Sequence, residues 1–97
     1  MDDGKNRNHD LVLIKNLAKA NAYYDAIKQG QTFDQIAKQF GTSKRRVQHL
    51  IGLAFLSPNI ASMIIRGEQP IALTSGYLNK HPLPASWDEQ MKLVSSL

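Results

Sequence analysis

Thr32-Phe-Asp-Gln-Ile-Ala-Lys-Gln-Phe-Gly-Thr-Ser-Lys-Arg-Arg-Val-Gln-His-Leu-Ile51 is the stretch whose reading decides the fold. Thr32 is followed three residues later by Gln35, the spacing of a capping box, so a helix is predicted to begin here. Ile36, Ala37 and Phe40 recur on one helical face, and Gly41 supplies a residue that turns with positive φ at little steric cost. Ser43 can cap a second helix, over about residues 43–56, whose Val47, Leu50, Ile51 and Ala54 recur at three- and four-residue spacing and face inward. Two helices joined so tightly cross steeply and need a small residue near the crossing. Ala37, four residues before Gly41, meets that need. The pattern is that of a helix-turn-helix.

The opposite face of the second helix carries Lys44, Arg45, Gln48 and His49. Arginine can pair with guanine O6 and N7 and glutamine with adenine N6 and N7, so these four are the candidates for reading base edges in a major groove. Arg46 lies to one side of that face and Lys38 lies on the preceding helix, which assigns both to backbone phosphate. Ser43 is expected to cap its helix and, at that end, to donate to a phosphate. The expected partner is therefore double-stranded DNA. Charge placement agrees: between Gln35 and Gly67 there are five basic residues and no acidic one, within a chain of net charge +4.

Outward from this stretch, residues 1–9 mix charges with Asn and Gly and carry no apolar period, which reads as a disordered leader. Residues 10–97 read as a single domain. Asp10 can cap a long helix running to about Gln29, with Leu13, Leu17, Ala20, Tyr24 and Ile27 as its apolar stripe and Gly30 as its stop. Beyond the helix-turn-helix, Ser57-Pro58 starts a fourth helix with Ile60, Met63 and Ile64 inward and Gly67 at its end. Thr74 caps a short turn through about Asn79, and the run His81-Pro-Leu-Pro84 is too rich in proline to be helical. Ser86 and Glu89 repeat the capping-box spacing, which predicts a last helix from Trp87 to about Val94 with Trp87, Met91 and Val94 inside. No alternating pattern marks a strand. The expected fold is all-α, a small helical bundle of about five to six helices containing the helix-turn-helix.

Ile36-Ala37, Gly41-Thr-Ser43, Val47 and Leu50 resemble the helix-turn-helix of ParB-type partition and plasmid regulator proteins, and Leu56-Ser-Pro-Asn-Ile60, Ile64 and Gly67 resemble the helix that follows it there. A closer resemblance is to the C-terminal helical segment of some phage and plasmid serine site-specific recombinases. It is carried by Leu53-Ala-Phe-Leu-Ser-Pro58, Gly67-Glu-Gln-Pro70, Leu73-Thr74, Leu83-Pro84, Trp87 and Glu89-Gln90, and extends over roughly residues 11–94. Thr42 departs from it, at a turn position usually apolar in such motifs. The resemblance implies a DNA-binding module of a mobile-element protein, with a parent catalytic domain or a homodimer partner. These 97 residues hold no resolvase catalytic domain, so it implies DNA binding and not recombination by this chain. The alternatives are a ParB-like partition or transcription regulator, and a protein-interaction module docking through residues 53–65.

Other chemistry finds little support. The chain has no cysteine, and His9, His49 and His81 lie far apart without paired acids, so neither a metal site nor a disulfide is expected. There is no Gly-rich phosphate loop and no Ser-His-Asp spacing, so neither a cofactor nor an enzymatic activity is expected. No apolar run approaches the roughly 18 residues that span a bilayer, which predicts a cytoplasmic protein without a membrane partner. Tyr23, Tyr24 and Trp87 could stack on bases, but helical spacing places at least Tyr24 and Trp87 on inner faces.

Overall fold

The computed structural model describes residues 9–97, so the leader expected over residues 1–9 lies outside them except for His9. Among the described residues are six α-helices and no strand: α1 (Leu11–Lys28), α2 (Phe33–Gln39), α3 (Lys44–Leu50), α4 (Pro58–Arg66), α5 (Ser75–Lys80) and α6 (Trp87–Ser95). The all-α expectation holds. Each start is set by a local cap. Asp10 Oδ1 accepts from the Leu13 N–H at 3.0 Å, and Thr74 Oγ1 accepts from the Tyr77 N–H at 3.0 Å. Ser57 Oγ accepts from the Asn59 N–H at 3.2 Å, with Pro58 at the first helical position. Backbone contacts divide the described residues into two compact units, 9–15 with 56–97 and 16–55, so α1 runs through both.

In the unit of residues 16–55, α1, α2 and α3 contribute one buried cluster: Tyr23, Ala26, Ile36, Ala37, Val47 and Leu50. Half-buried Ile27, Phe33, Ile51 and Leu53 pack against it. The stripe read from sequence is corrected here. On the C-terminal half of α1 it is Tyr23, 3% exposed, and Ala26 that enter the core, while Tyr24 and Ile27 lie at its edge. Helical spacing fixes which residues share a face, but α2 and α3 decide which flank of that face they cover. Phe40, expected to point inward, remains 43% exposed and touches the core only edge-on, its ring 5.2 Å from that of Tyr23. Tyr24 makes a similar edge contact with Phe55 at 5.0 Å, and Lys28 Nζ stands 4.9 Å over the Tyr24 ring.

The second correction concerns the length of the helix that Ser43 caps. It was expected over about residues 43–56, but α3 stops at Leu50 and the chain tightens into a 3₁₀ segment, Ile51–Phe55. Gly52 sits in that segment, and glycine costs about 1 kcal/mol relative to alanine in a helix interior, which favours this tightening.

The other unit buries Leu13, Leu56, Ile60, Ile64, Leu73, Leu78 and Val94. α4 ends at Gly67, whose φ of 72° closes the helix with bonds from the Gly67 N–H to Ile64 O and from the Glu68 N–H to Met63 O. A Cβ added there would lie 3.0 Å from Nδ1 of His9. Residues 81–84 are non-helical, as expected, and are tied to α6 by one side chain. Gln90 is fully enclosed. Its Oε1 accepts from the Ser57 N–H at 2.7 Å and its Nε2 donates to the Pro84 carbonyl at 2.8 Å. Trp87, expected inside, is 55% exposed and corrects the expected inner face of α6. It is the first residue of that helix, and the inner positions are filled from Gln90 onward by Gln90, Met91 and Val94.

Candidate nucleic-acid interface

The geometry of residues 32–50 follows from three local devices. At the start of α2, Thr32 Oγ1 accepts from the Gln35 N–H at 3.1 Å while Gln35 Oε1 accepts from the Thr32 N–H at 2.8 Å, a complete capping box. At its end, the Thr42 N–H reaches Ala37 O at 2.9 Å and the Gly41 N–H reaches Lys38 O at 3.4 Å, with Gly41 at φ 67°. That pair of bonds is a Schellman motif, and it reverses the chain within four residues. Ser43 then caps α3, its Oγ accepting from the Arg46 N–H at 3.1 Å. The rotation of α3 is set by Val47 and Leu50, both buried against Ile36 and Ala37 of α2.

That anchoring determines what α3 shows to solvent. At about 100° per residue, the direction opposite the midpoint of Val47 and Leu50 falls within roughly 10° of Arg45. Gln48 and His49 flank Arg45 on either side, and Lys44 and Arg46 lie toward the two edges. All five side chains are exposed, as is Lys38 on α2. Arg45, Gln48 and His49 thus share the outward face of α3, with Lys44 at one edge and Arg46 at the other. Ser43, expected both to cap and to reach phosphate, has its Oγ committed to the cap as an acceptor.

One residue of this surface escaped the sequence reading. Asp34, in the first turn of α2, is 78% exposed, and its Oδ2 lies 3.9 Å from Nζ of Lys44, itself 53% exposed. It is the only acidic residue between Asp25 and Glu68. That solitary position was the available signal, but a span counted from Gln35 just misses it. An ion pair so exposed contributes only about 0–1 kcal/mol to stability, so its interest is electrostatic rather than structural.

Among the described residues no group of three or more His, Asp or Glu could hold a metal ion, and no single helix is long and apolar enough to cross a membrane. His49 and His81, like His9, each belong to separate stretches of the chain. No protein-family model matches the chain, and no curated protein or solved structure matches it.

Proposed function

We propose that this chain binds double-stranded DNA by laying α3 in the major groove. The observation that carries the reading is the outward face of α3. Arg45, Gln48, His49 and Lys44 stand on a capped helix, opposite the two residues that anchor it, immediately after a Gly41 turn. Arg45, at the centre, pairs with a guanine through O6 and N7; Gln48 suits adenine; Arg46 and Lys38 meet phosphates at the flanks. The absence of acidic residues from Gln35 to Gly67 supports the same reading. The resemblance to recombinase C-terminal segments suggests the setting, a module of a mobile-element site-specific recombinase, with a ParB-like regulator as its alternative. The rival reading is docking of a protein through residues 53–65, where Leu56, Ile60 and Ile64 are buried within the fold while Phe55 and Ile65 stay 49% and 58% exposed.

Selection of duplexes from a random pool, followed by mobility shift at low salt, tests the reading. Retention of a defined sequence is expected; failure to retain any duplex would overturn it. Arg45→Ala should weaken binding to the selected duplex by about 1–3 kcal/mol and relax preference at one base pair. Lys38→Ala should instead weaken selected and scrambled duplexes alike and reduce the salt slope by about one. Equal losses on both duplexes for both variants would contradict the division between base and phosphate contacts.

A further inference from the structure

Asp34 takes no part in the capping box of the helix in whose first turn it lies. Thr32 and Gln35 already complete the capping box, and Asp34 makes no bond in it. Its carboxylate instead faces a cation on another helix, the Lys44 ammonium at 3.9 Å, and Lys44 is the first residue of α3. In an otherwise acid-free stretch of the helix-turn-helix, the one negative charge is placed against a cation of the proposed reading face.

We propose that Asp34 is a specificity-determining residue, which sequesters Lys44 from sequence-independent contact with DNA and releases it only to a registered site. This rests on the DNA-binding reading above. Sequence-independent binding is almost wholly phosphate neutralisation, and it lacks fixed geometry. A sliding duplex offers Lys44 no partner better placed than the carboxylate it already has, so Lys44 stays with Asp34 and the complex forgoes one phosphate contact. In the registered complex α3 sits at fixed depth, and base-edge or phosphate oxygens at a constant position draw Lys44 away. Asp34 thereby weakens the wrong complexes more than the right one. It is a positioning residue acting through Lys44, and its own carboxylate needs no contact with the nucleic acid.

The test compares the unaltered chain with Asp34→Asn, Lys44→Ala and the double variant. Each is titrated over a range of salt with the selected duplex and with a scrambled one of equal length. On scrambled DNA, Asp34→Asn should steepen the log–log salt slope by about 0.9 and bind roughly five- to tenfold tighter at 0.1 M salt, the contribution of one phosphate contact. On the selected duplex its slope should not change, because Lys44 is already engaged there. In the Lys44→Ala background the Asp34 substitution should have no effect on either. A favourable interaction of Asp34 with the α2 terminus alone would alter the melting temperature and leave the salt slope untouched, which overturns the proposal. An equal gain on both duplexes, or a gain that survives in the Lys44→Ala background, overturns it as well. If the unaltered chain binds neither duplex, the DNA reading fails first. If it binds the selected duplex and Asp34→Asn behaves identically on both, only this inference fails.

Discussion

Gln90→Leu should lower the unfolding free energy by roughly 1–4 kcal/mol, although leucine nearly matches glutamine in volume and is the more hydrophobic residue. The loss comes from the groups left behind. The Ser57 N–H and the Pro84 carbonyl each spend a hydrogen bond on Gln90, at 2.7 and 2.8 Å, the first buried and the second half-buried. A buried polar group deprived of its partner costs about 1–3 kcal/mol, which applies in full to the Ser57 N–H and only in part to the half-buried Pro84 carbonyl. Gln90→Glu keeps an acceptor for Ser57 but has no donor for Pro84 at neutral pH, and it buries a charge, so it should not rescue the protein. Urea unfolding followed by circular dichroism measures the effect. A midpoint shift worth less than about 1 kcal/mol would show that water or backbone rearrangement satisfies both groups.

Ile36→Ala should cost a comparable amount, about 2–5 kcal/mol, by a different route. Ile36 is fully buried among Tyr23, Ala26, Ala37, Val47 and Leu50, so truncation leaves a cavity at the meeting point of α1, α2 and α3. Measured against the ~5–15 kcal/mol that holds a typical small protein together, this is a large fraction. Ile36→Val removes one methylene and should cost only ~0.5–1.5 kcal/mol, which makes the pair a calibration of packing. Because α3 takes its rotation from Val47 and Leu50, the amide of Val47, bonded to Ser43 O at 3.1 Å, should also lose hydrogen-exchange protection in Ile36→Ala. Unchanged protection there, with lowered global stability, would mean that α3 keeps its orientation without Ile36.

Features governed by near neighbours in the chain were legible in the sequence. Asp10, Thr32, Ser43, Ser57, Thr74 and Ser86 each cap the helix they were expected to cap, because a cap involves residues only two or three positions apart. Gly41 and Gly67 could be read for the same reason. The outward face of α3 was readable once Val47 and Leu50 were recognised as its anchors. What failed depended on the far side of a contact. Tyr23 and Tyr24 are adjacent and chemically alike, and only the position of α2 and α3 decides that Tyr23 is the one enclosed. Trp87 has the spacing of an inner residue but lies at the exposed start of its helix. Gln90 gave a fainter signal, a polar residue where an apolar one was due, and its partners at 57 and 84 are remote in sequence. The end of α3 was hidden because Leu50-Ile-Gly-Leu-Ala-Phe55 suits a helix and a 3₁₀ segment alike.

The early stop of that helix bears on how much information one copy of the chain can extract. Seven residues rise about 10 Å, the height of roughly three stacked base pairs. A word of three letters recurs by chance every few dozen positions, whereas a genome presents ~10⁶ or more competing sites. On the proposed reading, then, a single domain is a reader of syllables. An address on a chromosome could be spelled only by repeating the syllable at a fixed interval, and the bound sequences recovered from a random pool would show that interval before they showed anything else.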